Sequence, residues 1–234
     1  MRKSWMLYAI MAAVALCVMV VSCSKKNTNP VKPPDQPPGN VILSEGFEGD
    51  LSNYRQITYD PAQGMMSIST QHVHSGNGSL TSDSNNTGIK RGISPSIDDS
   101  IAGLQFYLMA TKAAHTNFIV AICRPGSSAN GLFTIIGMGI DKSDSLEYIY
   151  ENAPGDPINE HKNFSALTLN KWYKCKIEYD YSDTTLTYFL DNDTVYTRTT
   201  PSPMTLQTFV VMRDSLGALG PSGYYIDDVA IYKR

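Results

Sequence analysis

The sequence predicts an all-β fold, specifically a two-sheet antiparallel sandwich. Apolar and polar residues alternate with a period of two along most of the chain, and Gly or Pro interrupts the pattern about every ten residues. No stretch has the apolar spacing of an amphipathic helix longer than about two turns. About ten short strands separated by turns, within one domain, are typical of a β-sandwich.

The clearest strand is Trp172–Asp180, in which Tyr173, Cys175 and Ile177 share one face while lysines and acids occupy the other. The turn residues at 181–183 and 191–193 delimit the strand that follows it, and the second turn leads into a further strand at Val195-Tyr196. The same alternation predicts further strands at 56–59, 65–70, 79–82, 101–110, 117–123, 132–141, 146–151, 205–213 and 224–232.

The first 22 residues have the pattern of an export signal. Arg2 and Lys3 precede an uncharged apolar run of 17 residues, which small residues close. The run ends in Val20-Val21-Ser22-Cys23, which resembles the lipobox of bacterial lipoproteins. The resemblance implies cleavage before Cys23 and acylation of its thiolate, and several acyl chains make membrane anchoring stable. An ordinary signal peptide with an incidental Cys23 is the alternative.

A tether follows at residues 23–40, because this stretch holds five prolines and almost no apolar residue. Such a composition cannot bury a core and favours an extended, semi-rigid chain. At about 3.1 Å per residue it could raise the following domain roughly 50 Å above a membrane. Residues 41–234 are then long enough for one β-sandwich domain.

The charge of the chain argues against a nucleic-acid partner. Without residues 1–22, 17 basic and 22 acidic residues remain, which gives a formal net charge of −5. The charges are interspersed, and no basic patch for phosphates is evident.

Two cysteines remain once Cys17 leaves with the signal and Cys23 carries lipid. Cys123 and Cys175 lie in apolar strand patterns of an exported chain, where disulfides persist. A disulfide between them and two buried thiols are both compatible with the sequence.

Five segments together resemble concanavalin A-like jelly rolls, a class that includes laminin-G-like domains and family 16 glycoside hydrolases. They are WYKCKIEYD (172–180), TLTYFLD (185–191), YIDDVAIY (225–232), EGFEGD (45–50) and HSGNGSL (74–80). The last two also resemble galactose-binding-like sandwiches, which are the second choice of fold. This architecture carries both enzymes and binding modules, so the fold leaves the function open.

The resemblance implies one structural calcium where the first and last strands meet the Ser-Gly turn. Its ligands would be Glu45 or Glu48, the backbone near Ser75 and Asn77, and Asp227. Alternation places Asp227 on the face of Val229 and Ile231, and an inward carboxylate needs a cation or hydrogen bonds. Hydrogen bonds from backbone amides of the N-terminal strand, with no metal, are the alternative for Asp227.

Aromatic and polar side chains that could hold a sugar form a second candidate site. Sugar rings stack on aromatic faces, and flanking polar groups bond their hydroxyls. The candidates are Tyr148, Tyr150, Arg213, Asp214 and Tyr224, the last beside a Gly-rich loop at 217–223. Aromatic residues on alternating strands more often belong to the core.

Glu147-Tyr148-Ile149-Tyr150-Glu151 resembles the Glu-x-Asp-x-Glu strand that carries catalysis in family 16 glycosidases. The two glutamates have the right spacing, but Ile149 replaces the central acid. Retaining hydrolysis needs two carboxyls about 5–5.5 Å apart, whereas residues four apart on a regular strand start roughly 13 Å apart. We therefore assign no catalytic residue, with Glu147 and Glu151 as the weak exception.

The sequence thus predicts a surface-exposed, glycan-binding lipoprotein that is not catalytic and is anchored in the bacterial cell envelope, at the outer membrane or cell surface. Its partners would be a polysaccharide or oligosaccharide, with membrane contact only through the lipid. The alternatives are a polysaccharide hydrolase or lyase of the same fold and a protein-binding adhesion or structural surface protein.

Overall fold

Fifteen antiparallel β-strands make up the regular structure of the described part of the chain in the computed structural model. The structure describes residues 37–58, 65–82, 87–97, 100–113, 115–125, 132–152, 159–201, 203–214 and 223–234. The strands are β1 (Asn40–Glu45), β2 (Arg55–Thr58), β3 (Met66–Ser69), β4 (Ser79–Ser82), β5 (Thr87–Ile97), β6 (Ile101–Ala110), β7 (Asn117–Pro125), β8 (Leu132–Ile140), β9 (Ser145–Glu151), β10 (Glu160–Ala166), β11 (Trp172–Asp180), β12 (Thr185–Leu190), β13 (Asp193–Thr199), β14 (Leu206–Asp214) and β15 (Tyr224–Lys233).

The strands form two antiparallel sheets that pack face to face as a sandwich. The eight-stranded sheet has the order β13-β12-β11-β6-β15-β4-β3, and β1 also pairs with β15. The seven-stranded sheet has the order β10-β9-β8-β7-β14-β5-β2. Several neighbouring strands, such as β6 and β11 or β7 and β14, are distant in sequence, because the chain crosses repeatedly between the two sheets. The all-β sandwich predicted from the alternation is confirmed.

The core lies between the sheets and is built from the alternate residues of each strand. On β11, Tyr173, Cys175 and Ile177 face the core and are at most 3% exposed. Each fully buried side chain of this size stabilises the fold by roughly 1.5–3 kcal/mol relative to exposure. The period-two pattern therefore specified the correct inner face of this strand.

One side of the sandwich is closed by contacts between the two edge strands β10 and β13. The Glu160 carboxylate on β10 accepts hydrogen bonds from the Tyr196 hydroxyl (3.1 Å) and from Arg198 (3.0 Å) on β13. The Tyr148 hydroxyl donates to the same carboxylate (3.2 Å), and its ring stacks on Tyr196 with centroids 4.2 Å apart. These contacts join the two sheets where neither has a further strand.

Three strands were not predicted, namely β1, β5 and β10. In β5, Gly88, Gly92 and Pro95 interrupt the apolar alternation, although the strand pairs with both β14 and β2. β10 is a mostly polar edge strand, so its sequence EHKNFSA has no apolar periodicity. Both strands owe their structure to non-local pairing rather than to local propensity.

The predicted alternative of a disulfide between Cys123 and Cys175 is excluded by the fold. Both cysteines are unbridged and fully buried. Cys175 packs in the core between the sheets, whereas Cys123 belongs to a separate apolar cluster on the outer face of the seven-stranded sheet. A disulfide needs Cα atoms within about 7 Å, so thiols in these two layers cannot meet.

The predicted signal segment, Cys23 and most of the tether lie outside the described residues. Within the described residues there is no helix long and apolar enough to cross a bilayer.

Candidate functional site

The strand register aligns residues in rows across the outer face of the seven-stranded sheet, which points away from the core. One row runs from Asn163 on β10 through Glu147, Gly139 and Ile119 to Met212 on β14. Gly139 adds no side chain beside Glu147, and a Cβ there would lie 1.9 Å from the Phe118 carbonyl oxygen. In this row the small and aliphatic residues Gly139, Ile119 and Met212 lie on β8, β7 and β14. The polar residues Glu147 and Asn163 lie on β9 and β10.

Three titratable side chains at that end form what we call the carboxylate–histidine cluster: Glu147, Glu151 and His161. His161 Nε2 lies 2.6 Å from Glu151 Oε1, and His161 Nδ1 lies 3.7 Å from Glu147 Oε2. The carboxylates, Glu147 first and Glu151 second, raise the pKa of His161 from 6.5 to about 9. At neutral pH the imidazole is therefore a cation between two carboxylates.

An open pocket of about 390 Å³ adjoins the cluster, lined by Asn117, Asp141, Lys142, Glu147, His161, Lys162 and Asn163. Asp141 fixes one wall, since its carboxylate accepts bonds from Asn163 Nδ2 (2.8 Å) and from the backbone N–H of Ser145 (2.9 Å). These bonds and that of Ser143 hold the pKa of Asp141 below its usual value, against the opposing effect of burial. The pocket thus presents fixed carboxylate, amide and ammonium groups, which suit a ligand with many hydroxyls.

The pair Glu147 and Glu151 differs from the glycosidase pattern at its centre and in its contact with His161. Ile149 lies between them on the same strand face and is fully buried. The His161 ring bridges the two carboxylates, so one cation interacts with both acids. A retaining mechanism needs one of the two in the protonated form as general acid and a reacting sugar between them.

The three tyrosines predicted as sugar platforms are in the interior instead. Tyr148 and Tyr150 are 1% exposed, and Tyr224 is fully buried. They lie on the inner faces of β9 and β15, where Arg198 covers the Tyr150 ring at 4.1 Å and Asp144 accepts the Tyr224 hydroxyl bond at 3.0 Å. Buried rings cannot stack on a sugar, so the structure argues against this part of the predicted site.

Arg213 is also interior, at 3% exposure, and its Nε donates to Thr116 Oγ1 at 3.3 Å. Burial lowers the pKa of Arg213. The backbone of Asp214 ends β14, but its side chain and the glycine-rich residues 217–222 lie outside the described part of the chain.

Asp227, the predicted inward calcium ligand, is fully buried but lies on the other side of its sheet. It pairs with Tyr107 on the outer face of the eight-stranded sheet, while Val229 packs in the core. The register shifts between Asp227 and Ala230, where Asp228 has a φ of 48°. This bulge inserts one extra residue and reverses the inside–outside alternation, so the predicted shared face of Asp227 and Val229 was wrong.

The Asp227 carboxylate accepts backbone N–H bonds from His74 (2.8 Å), Ser75 (3.1 Å) and Asp228 (2.8 Å). Burial raises the pKa of Asp227 to about 6, although these N–H groups act in the opposite direction. Hydrogen bonding to backbone amides was the alternative left open for this residue. The donors come from the turn at 74–75 rather than from the first strand.

Of the other predicted calcium ligands, Ser75 meets Asp227 through its backbone N–H, whereas Glu45 and Glu48 have separate hydrogen-bond partners. Glu48 accepts bonds from Asn77 N (2.8 Å) and Asn77 Nδ2 (3.2 Å), and Glu45 accepts bonds from Phe47 N (2.9 Å) and the Tyr54 hydroxyl (3.1 Å). No group of three or more His, Cys, Asp or Glu in the described residues could hold a metal ion. Calcium takes six to eight oxygen ligands around one point, and the structural calcium implied by the family resemblance stays a prediction.

Asp228 was not among the predicted site residues, yet its carboxylate contacts the side chains of His74 and Ser75 in the turn. His74 Nδ1 lies 2.6 Å from Asp228 Oδ2, and Ser75 Oγ donates to Asp228 Oδ1. The His74 ring stacks on Tyr107 with centroids 3.6 Å apart. Beside this turn lies an open pocket of about 570 Å³, whose lining includes Glu48 and Asp228. Only the bulge, which the sequence does not reveal, brings Asp228 to this position.

His161 and Asn163 were also missed, because they lie on the unpredicted strand β10. The acidic strand β9 was recognised from its two glutamates. The histidine that bridges them is ten residues beyond Glu151 and reaches it only through the β9–β10 pairing.

Comparisons with known proteins identify the fold. No protein-family model and no curated protein sequence matches this chain. Among solved structures, a Bacillus licheniformis β-glucanase is similar over 85% of this chain and 100% of its own, with 10% identity and a TM-score of 0.57. The carbohydrate-binding module CBM66 from Bacillus subtilis is similar over 77% of this chain and 96% of its own, with 12% identity and a TM-score of 0.52.

A sialidase is similar over 83% of this chain, with 14% identity and a TM-score of 0.52, but the chain spans only 19% of the sialidase. Identities this low establish the fold alone. The chain has the antiparallel jelly-roll sandwich found in these glucanase, sialidase and carbohydrate-binding domains, which agrees with the concanavalin A-like architecture predicted from its sequence.

Proposed function

We propose that this protein is a non-catalytic glycan-binding lipoprotein, and that the pocket beside the carboxylate–histidine cluster contacts the glycan. The observation that carries the proposal is this open polar pocket on the outer face of a jelly-roll sheet. Similar folds occur in the carbohydrate-binding module CBM66 and in a β-glucanase, which supports a carbohydrate ligand. The ligand would be a polysaccharide or oligosaccharide.

The groups in the pocket match the hydrogen-bonding needs of sugar hydroxyls. A hydroxyl both donates and accepts, and the pocket offers carboxylate acceptors at Asp141 and Glu147 beside donors at Asn163 and His161. Several of these side chains are already held in place by bonds to one another, so binding need not order them.

The same geometry favours binding over hydrolysis. The central acid of the glycosidase strand is replaced by the buried Ile149, and the His161 cation lies between Glu147 and Glu151. A polysaccharide hydrolase or lyase is the second candidate, because the two glutamates retain the spacing seen in family 16 enzymes.

The membrane attachment rests on the sequence of the first 40 residues. Acylation of Cys23 would hold the chain at the bacterial cell envelope, at the outer membrane or cell surface, and the tether would raise the domain towards its ligand. Cells that express the full chain should incorporate labelled palmitate into it, and a Cys23→Ala variant should incorporate none. Equal labelling of both proteins would remove the anchor from the proposal.

A glycan array tests the binding function. The chain from residue 23 with Cys23→Ser should bind at least one class of oligosaccharide or polysaccharide. Asn163→Ala should weaken binding about 5- to 10-fold, the effect of roughly one hydrogen bond to a sugar. Asn40→Ala, an exposed change on β1, is the matched control and should bind like the parent chain.

Release of reducing ends tests the two alternatives. The parent chain should release none from a polysaccharide that it binds. Turnover that Glu151→Gln abolishes would show that the protein is an enzyme. A chain that is inert on both the array and the turnover assay would favour a protein-binding adhesion or structural role.

A further inference from the structure

A second polar pocket lies on the eight-stranded sheet, whereas the carboxylate–histidine cluster lies on the seven-stranded sheet. The register aligns Ser67 on β3, Thr81 on β4 and Tyr225 on β15 in one row on the outer face of the eight-stranded sheet. An open pocket of about 420 Å³ lies over this row. We call it the tyrosine pocket.

The lining of the tyrosine pocket is polar but carries no formal charge. Its polar side chains are Ser67, Ser69, Thr70, Gln71 and Thr81, Ile68 supplies an apolar part, and Tyr225, which is 8% exposed, forms part of its floor. The pocket beside the cluster differs, since Asp141, Lys142, Glu147, His161 and Lys162 line it. Hydroxyls and an amide match a ligand with uncharged hydroxyls, whereas an ionic ligand would find no counter-charge.

Hydrogen bonds and a ring contact within the protein hold the walls of the tyrosine pocket, including the bond that Thr81 Oγ1 donates to the Tyr224 carbonyl (2.9 Å). Gln56 on β2 donates to the Met66 carbonyl (3.2 Å) and accepts from the Met66 N–H (3.3 Å), which satisfies part of the free edge of β3. The His72 ring contacts the Tyr225 ring with centroids 4.7 Å apart, and Ser79 Oγ donates to the His72 carbonyl. A ligand would therefore meet a preformed surface.

We propose that the tyrosine pocket is a second carbohydrate site that takes an uncharged sugar residue. It goes beyond the proposed function because it lies on the other sheet and shares no residue with the cluster. A volume of about 420 Å³ lies within the ordinary range for small-ligand sites, about 300–1,000 Å³.

Titration calorimetry with defined oligosaccharides tests this site. The probes are tetrasaccharides of glucose, xylose, mannose and N-acetylglucosamine, with tetragalacturonate as the charged comparator. Thr70→Trp should block the pocket, because Thr70 is exposed and a large ring there fills the space without removing core packing. Thr197→Trp, at an exposed position on β13, is the matched control.

At least one uncharged tetrasaccharide should bind the parent chain and the Thr197→Trp chain equally. Thr70→Trp should weaken its binding at least about 10-fold, and Gln71→Ala about 5-fold through loss of one hydrogen bond. Tetragalacturonate should not compete. Equal binding by the parent and Thr70→Trp chains, equal binding of tetragalacturonate, or no binding of any uncharged tetrasaccharide would each overturn the proposal.

The Asn163→Ala variant separates this site from the proposed function. If Thr70→Trp weakens binding while Asn163→Ala does not, the tyrosine pocket stands and the cluster loses its assignment. If Asn163→Ala weakens binding while Thr70→Trp does not, the proposal for the tyrosine pocket fails and the proposed function stands.

Discussion

At the scale of single residues, His161 shows how much of the candidate site depends on non-local contacts. The two glutamates of β9 were visible in the sequence, but the cation between them was not. It comes from β10, whose polar sequence gives no strand signal, and the β9–β10 register places its ring opposite Ile149. No pattern within β9 could have indicated that partner.

The raised pKa of His161 predicts a loss of stability at alkaline pH. Its folded pKa of about 9 exceeds the unfolded value of 6.5, so its stabilisation is complete below pH 6.5 and is lost as the pH rises through about 9. The ring is 44% exposed, and solvent screening limits the effect to about 1 kcal/mol or less. Urea unfolding at pH 6 and pH 9.5 should show this loss in the parent chain.

The His161→Gln variant is the control for that measurement. It should unfold with less pH dependence than the parent chain over the same interval. Identical pH dependence of the two proteins would mean that His161 does not hold its proton between the glutamates.

Asp227 was correctly predicted to be buried, but its side of the sheet was wrong. Simple alternation assigns it to the face of Val229, and the bulge at Asp228 reverses that assignment. A bulge changes the parity of every later residue while leaving the residue types unchanged, so the sequence pattern alone does not reveal it.

Replacing Asp227 with Ala should destabilise the fold strongly. The change leaves the N–H groups of His74 and Ser75 without their buried acceptor, at a cost of about 2–4 kcal/mol in the free energy of unfolding. Urea unfolding measures this loss, and Asp193→Ala at an exposed position should change stability by less than about 0.5 kcal/mol. A loss below about 1 kcal/mol for Asp227→Ala would contradict the role assigned to its carboxylate.

At the scale of elements, the strands with clear alternation were predicted to within about two residues at each end, and three strands were missed. Trp172–Asp180, Ile101–Ala110 and Ser79–Ser82 match their predicted bounds because each has a buried face that specifies the strand locally. The missed β5 contains Gly88, Gly92 and Pro95, and its neighbours β14 and β2 determine its conformation.

The turn at 74–77 is attached to the last strand by hydrogen bonds to Asp227 and Asp228, and these bonds predict the effect of metal removal. Asp227, Asp228 and Glu48 already accept N–H or O–H bonds from that turn. EDTA should therefore leave the melting temperature unchanged, and calcium should not raise it. A fall of more than about 3 °C on addition of EDTA, reversed by calcium, would restore the structural calcium implied by the family resemblance.

Cys123 and Cys175 should behave as inert thiols because both are fully buried, and they should not form a disulfide because they lie in different layers of the sandwich. Burial raises the pKa of both thiols well above the usual range, which suppresses the reactive thiolate. The folded chain from residue 23 with Cys23→Ser should not react with a thiol reagent, and its unfolded form should titrate two thiols. A melting temperature that falls on addition of reductant would indicate a disulfide instead.

At the scale of the whole molecule, the sandwich could be predicted because its two inner faces are encoded residue by residue in the period of two. The outer faces could not be predicted in the same way. Each outer face collects residues from strands far apart in sequence, such as Asn163, Glu147 and Met212 in one row. The tyrosines that seemed suited to sugar stacking instead form part of the core.

The two outer faces now carry different chemistry. The seven-stranded sheet ends in charged, hydrogen-bonded groups around His161, while the eight-stranded sheet has the uncharged tyrosine pocket at its β3–β15 end. A tethered domain with a site on each face could contact a polysaccharide on two sides, which would raise its avidity for a multivalent glycan surface.

The most direct test of the central claim is to map the bound glycan by NMR on the chain from residue 23 with Cys23→Ser. The ligand is the glycan that binds best on the array, and backbone amide shifts are followed during titration. The largest shifts should fall at residues 141–147 and 160–163, around the carboxylate–histidine cluster. Saturable binding that leaves these amides unshifted would contradict the assignment of the glycan site to this face.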